Sequence, residues 1–126
     1  MSTAEAPGRL RLDYRLDAGV AVVTVAGEVD VMTCGALRDG LLRVVTDDNG
    51  RGLVVNLAGV SFLDSTGLGV LVGVWHRVEA GGGRLAVAAP SRQVRSALDT
   101  AGLTKALSVY DLEADAVQAC RHPAAG

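Results

Sequence analysis

The stretch NLAGVSFLDSTGLGVLVGVWHRV, residues 56–78, changes its period in the middle. Up to Leu63 it is a strand segment. From Leu68 on, Leu68, Leu71, Trp75 and Val78 recur at helical spacing and make one apolar stripe. Asp64-Ser65-Thr66-Gly67 lies at the break, so three polar side chains stand where a helix begins. The first backbone N–H groups of a helix have no partner within it, and Asp, Ser and Thr supply one. One such side chain is enough, yet three stand in a row. Gly67, Gly69 and Gly73 fall in the first turns of this helix, where each glycine costs about 1 kcal/mol relative to alanine. That cost points to something approaching the backbone closely. A helix start after a strand also receives an anion well, through its free N–H groups and its dipole.

Working outward, the chain alternates strands and helices. Leu10, Leu12, Tyr14 and Leu16 alternate with polar residues, as in a half-buried strand. Asp17-Ala18-Gly19 reads as a turn, and Val20–Ala26 as a strand covered on both faces, so the two form a hairpin. Gly27-Glu28-Val29-Asp30 ends the second strand. Thr33 is placed to cap a helix carrying Leu37, Leu41, Val44 and Val45, stopped by Asp48-Asn49-Gly50. Leu53–Leu57 is a short buried strand, making a strand–helix–strand crossover. Gly81-Gly82-Gly83 ends the central helix, and Arg84–Ala89 forms the next buried strand. Pro90 and Ser91 start a third helix through Val94, Ala97 and Leu98, closed by Gly102. Leu107–Tyr110 is an edge strand, and Asp111 opens a last helix to about Cys120. This is an α/β single domain: a mixed β-sheet of four to five strands opened by a β-hairpin, with about four helices packed against it. Residues 1–8 read as a flexible N-terminal tail, 9–120 as the domain and 121–126 as a frayed C-terminal tail.

The totals narrow the function. With 126 residues the chain is one domain, large enough to bury a core without metals or disulfides. Aromatic residues are only 3%, so that core is built from Val, Leu and Ala. A net charge of -2 argues against direct nucleic-acid binding. Arg9, Arg11 and Arg15 read as the solvated face of a strand. Cys34 and Cys120 lack metal-ligand spacing and read as small packed thiols in a reducing cytosol. Nothing resembles a signal peptide or a membrane span, so a cytoplasmic protein without membrane insertion is expected. Glu28 and Asp30 could ligate a metal, but no third ligand is evident, and a turn role is the plainer reading. No metal and no cofactor are expected.

Nucleophilic catalysis by Ser65 lacks its machinery. Leu63 stands where the first glycine of a G-x-S-x-G elbow should be. His76 lies about 16 Å along the helix from Ser65, too far to be its base. His122 is in the tail. No Walker loop or G-x-G-x-x-G is present. The chain is therefore read as a non-enzyme. Modification of Ser65 is compatible with the fold, because a phosphate at a helix N-terminus gains about 0.3–1 kcal/mol from the dipole. A partner docked over it would be repelled instead.

FLDSTGLGVLVG resembles the signature of the STAS domain, and in particular of the bacterial anti-sigma factor antagonists. GEVDVMTCGALRDGL resembles that family's acidic element and first helix, and AGGGRLAVAAPSRQVRSALDTAGL its later turn, strand and helix. The resemblance spans residues 10–118. It implies an anti-sigma factor partner with serine kinase activity, which phosphorylates Ser65, with Thr66 as second choice. The unphosphorylated protein would bind that partner and release a sigma factor, and a serine phosphatase would restore the active form. The partner-binding set is expected to be Asp30, Thr33, Asp64, Ser65, Thr66, Gly67 and Leu68. Gly35 departs from the pattern and would loosen the first helical turn. A homodimer is left open. The alternative job for the same fold is a STAS subunit or adaptor of a transporter or sensory assembly.

Trp75 reads as core-rim packing rather than a partner anchor. Arg92 and Arg95 could receive a phosphate or a partner acid, although water-facing roles are the plainer expectation.

Overall fold

The computed structural model describes residues 2–5, 10–47 and 52–121. Six strands form one sheet in chain order: β1 (Ser2–Glu5), β2 (Arg11–Asp17), β3 (Val20–Val29), β4 (Gly52–Leu63), β5 (Arg84–Ala88) and β6 (Val109–Tyr110). The first two pairings are antiparallel and the other three parallel, so the sheet is mixed as expected. The helices are α1 (Cys34–Asp47), α2 (Ser65–Ala80), α3 (Arg92–Thr100) and α4 (Glu113–Arg121).

The β2–β3 hairpin closes through Ala18 and Gly19, both at positive φ (53° and 83°), between the paired Asp17 and Val20. Two left-handed residues match the twist of the flanking strands. The first half of β3, Val20–Val23 and Val25, is apolar and buried because both of its faces are covered. Ala21, Val23 and Val25 join the core beneath α1, α2 and α3, while Val20 and Val22 join a second cluster beneath α4. β4 and β5 divide alike: Leu53, Val55, Leu85 and Val87 face the first core, and Val54, Ala86 and Ala88 the second. The second cluster is made of small residues, which lets α4 lie close to the sheet.

Several expectations are refined. The sixth strand is Ser2–Glu5, in the segment read as tail, which pairs with β2 from Ser2↔Tyr14 to Glu5↔Arg11. The strand read as Leu53–Leu57 and the strand segment read as ending at Leu63 are one strand, carried past a register irregularity that shifts its pairing with β3. There Asn56 Oδ1 accepts from the Ala58 N–H, and its Nδ2 donates to Glu113 Oε1 at 2.9 Å. Arg15 completes the cluster by pairing with Glu113. Arg11 pairs with Asp13 at 3.4 Å, and Arg9 lies outside the described residues. The buried line of α2 is Gly67, Leu71, Val74 and Val78, so Leu68 and Trp75 flank the stripe at the core rim. The edge strand shortens to Val109–Tyr110, and Leu107 turns into the core. The Asp48-Asn49-Gly50 stop lies outside the described residues. Cys34 is half-buried and Cys120 buried, where burial pushes its thiol up to about 11. No described helix is long and apolar enough to cross a membrane.

Candidate functional site

β3 and β4 run parallel, so their C-terminal ends open on the same edge of the sheet. Two polar turns meet there. Asp64 donates its N–H to the Val29 carbonyl at 3.1 Å, tying the start of α2 to the end of β3. Gly67 makes the junction tight: a Cβ there would stand 2.6 Å from Val29 Cγ1 and 3.0 Å from Leu63 Cγ.

The three consecutive polar side chains have different fates. Asp64 is the N-cap, with extended backbone at φ -99° and ψ -171°. Its Oδ1 accepts from the Thr66 N–H at 3.0 Å and the Gly67 N–H at 3.3 Å. The Thr66 hydroxyl donates to the same oxygen. That hydroxyl is the largest influence on the Asp64 carboxyl. Burial works against it, but with the Gly67 and Thr66 N–H groups it holds the carboxyl below its usual range. Ser65 is exposed, and among the described residues its hydroxyl has no hydrogen-bond partner. The cap is thus supplied by the acid and steadied by the threonine, leaving the serine free.

The second turn is built on Asp30. Its Oδ1 accepts from the N–H of Met32 at 2.9 Å and of Thr33 at 3.2 Å, the turn role expected of it. Thr33 precedes α1, as the cap expectation required, but its hydroxyl faces backwards. It accepts from the Asp30 N–H and donates to the Glu28 carbonyl at 2.8 Å. Only 2% exposed, Thr33 shapes this turn from within and offers little surface to a partner. The bracing lifts two apolar side chains into solvent, Val31 (71% exposed) and Met32 (82% exposed). Sequence reading passed over both. Their signal was an apolar pair enclosed by two turn-forming polar residues.

On the other side of Ser65 an open groove of about 760 Å³ separates the start of α2 from α3. Leu63, Asp64, Ser65 and Leu68 form one wall, and Arg92 and Ser96 belong to the other. Gln93 Oε1 accepts from the Leu63 N–H at 3.3 Å, joining the two walls. Arg92 therefore lines the same groove as the serine, while Arg95 is engaged with Asp111. Asp30, Asp64, Ser65, Thr66, Gly67 and Leu68 gather at one edge of the sheet.

This arrangement defines a small α/β module with an exposed hydroxyl on a rigid strand-to-helix turn, flanked by apolar and acidic surface. The family model of the STAS domain matches residues 11–116. The chain belongs to the STAS domain family. It is 31% identical over 108 residues to the anti-sigma F factor antagonist of Paenibacillus polymyxa, covering 86% of this chain and 92% of that one. It is 32% identical over 100 residues to the anti-sigma-B factor antagonist of Bacillus subtilis, covering 79% and 90%. Its fold superposes with a TM-score of 0.82 on the crystal structure of an anti-sigma factor antagonist from Mycobacterium paratuberculosis, at 32% identity, covering 94% and 99%.

Proposed function

We propose that this protein is an anti-sigma factor antagonist switched by phosphorylation of Ser65. Unmodified, it binds an anti-sigma factor that is also a serine kinase and so releases a sigma factor in the cytoplasm. The names of its relatives support the antagonist role. The observation that carries the switch is the exposed, unengaged Ser65 hydroxyl between two neighbours committed to capping. In the kinase step Ser65 Oγ attacks the γ-phosphorus of a nucleoside triphosphate. The Oγ–P bond forms, the bond to the leaving diphosphate breaks, and the hydroxyl proton passes to a base of the kinase. A serine phosphatase reverses the modification by hydrolysis. The antagonist itself supplies a hydroxyl and a docking surface, with no catalysis of its own.

The energetics suit a switch in binding. The phosphate lies at the N-terminus of α2, where the dipole favours it, so the fold is retained. At a closed interface the same dianion loses its water, and a charge buried there uncompensated by the partner costs several kcal/mol. Val31 and Met32 supply apolar contact area at the same edge of the sheet, and Thr33 acts through the turn beneath them. The free serine favours this reading over a subunit of a transporter or sensory assembly, which needs no modifiable hydroxyl.

The test is incubation with the anti-sigma kinases of the same genome and ATP, followed by mass-spectrometric mapping. Phosphate is expected on Ser65. Phosphate on Thr66, or no modification by any of them, overturns the switch.

A further inference from the structure

Of the three glycines in the first turns of α2, only Gly67 is required by packing inside the chain. Gly69 and Gly73 are exposed, and a Cβ on either would meet nothing within 4 Å. Together they floor a groove of about 510 Å³ between α1 and α2. Leu42 and Val70 give it apolar walls, and Arg38, His76 and Arg77 stand around it. Arg38 has Asp39 at 3.7 Å, both well exposed, and Arg77 has no ion-pair partner among the described residues. This leaves the uncompensated charge of Arg77, with the exposed Arg38–Asp39 pair opposite, around a bare backbone floor. The groove begins one helical turn from Ser65, since Gly69 follows it by four residues.

We propose that this groove receives an acidic amphipathic helix of the protein partner, laid over Gly69 and Gly73 with carboxylates on Arg38 and Arg77. Glycines without Cβ atoms let a second helix approach to the short end of the usual interaxial range. Leu42 and Val70 take its small apolar residues. Guanidinium groups pair with carboxylates through two parallel hydrogen bonds, which suits an acidic occupant. The identity of the partner rests on the function proposed above, while the groove rests on its own geometry.

Two measurements test it separately from the switch. First, the isotope-labelled protein is titrated with a soluble acidic amphipathic helical peptide and followed by NMR. Amide shifts are expected at Leu42, Gly69, Gly73 and Arg77, lost at high salt and in an Arg38→Glu, Arg77→Glu variant. Second, affinity for the anti-sigma factor is measured for Gly73→Leu and Arg77→Glu. Each is expected to weaken it about tenfold or more, with the melting temperature of Gly73→Leu no lower than that of the parent. Unmoved amides at millimolar peptide, or parental affinity in both variants, overturns the groove. So does a dimer of the isolated protein that Gly73→Leu abolishes, which would assign the groove to a second copy. Ser65→Glu reads the switch by itself: parental affinity there removes the switch and leaves the groove standing.

Discussion

α2 and α3 both begin where a parallel strand ends, and both have a serine at the junction, yet the two serines differ in every contact. Ser91 is the cap of α3: its Oγ accepts from the Val94 N–H at 3.4 Å and donates to the Val60 carbonyl at 3.2 Å. Ser65 neither caps nor crosses to another strand, because Asp64 already caps α2. The difference teaches how a fold frees a hydroxyl. Where the serine must hold the helix, it is consumed. Where an acid one residue earlier does so, the serine can be chemically altered at little structural cost.

The sharpest way to break this comparison is to change the charge at the free serine. Ser65→Glu is expected to weaken anti-sigma factor binding about a hundredfold, equivalent to about 2.7 kcal/mol, while thermal melting moves by only a few degrees. Ser65→Ala should bind as the parent does and accept no phosphate. Calorimetric titration and a melting curve decide it, and a Ser65→Glu variant that unfolds would show that the site is not a free surface.

Gly67→Ala comes next. Forcing a methyl against Val29 costs about 1–3 kcal/mol, more than the gain of about 1 kcal/mol in helix propensity. Gly69→Ala has open space and should stabilise by up to that gain. Chemical denaturation of the pair is expected to give opposite signs. The same alanine substitution at the two serines is a smaller test. Ser91→Ala should lose about 1 kcal/mol with its cap, and Ser65→Ala should stay within about 0.5 kcal/mol.

The smallest effect expected is on the acid limb of stability. Asp64 and Glu113 are both held below their usual range. For Glu113 burial pushes upward but is outweighed by hydrogen bonds from Arg15 and Asn56 and by the Arg15 charge. A depressed carboxyl stabilises the fold above its unfolded pKa, and that contribution is lost as pH falls through the lower folded value. Stability should therefore hold from neutral pH to the ordinary carboxylate range and decline below it. Asp64→Asn and Glu113→Gln should each flatten the decline, read by denaturant melts across the acid range.

Much of this was legible because it is local. Leu37, Leu41, Val44 and Val45 are the buried residues of α1, as their spacing required. The β-branched run of β3 marked a strand covered on both faces, and Ser91 marked the start of α3. β1 was not legible, because Ser-Thr-Ala-Glu has no alternation and becomes a strand only by adding to an existing edge. That Leu53–Leu57 and the segment ending at Leu63 are one strand was hidden for a related reason: its irregular pairing with β3 interrupts the alternation. The buried line of α2 runs through Gly67 and Val74 in place of Leu68 and Trp75, and the glycine on it is the one seated tightly against β3.

The order of side chains along the chain determined the elements, their alternation and the concentration of polar groups at residues 64–66, since helical and strand periods are set by near neighbours. It did not determine which of the three polar side chains would be left over. That depends on the extended backbone of Asp64, held by the Val29 carbonyl from another strand. Nor did it separate the glycine that packing demands from those that packing ignores, because the distance from Gly67 to Val29 exists only once β3 and α2 have met. Capping and close approach are relations between segments far apart in the chain, and only the folded arrangement decides them.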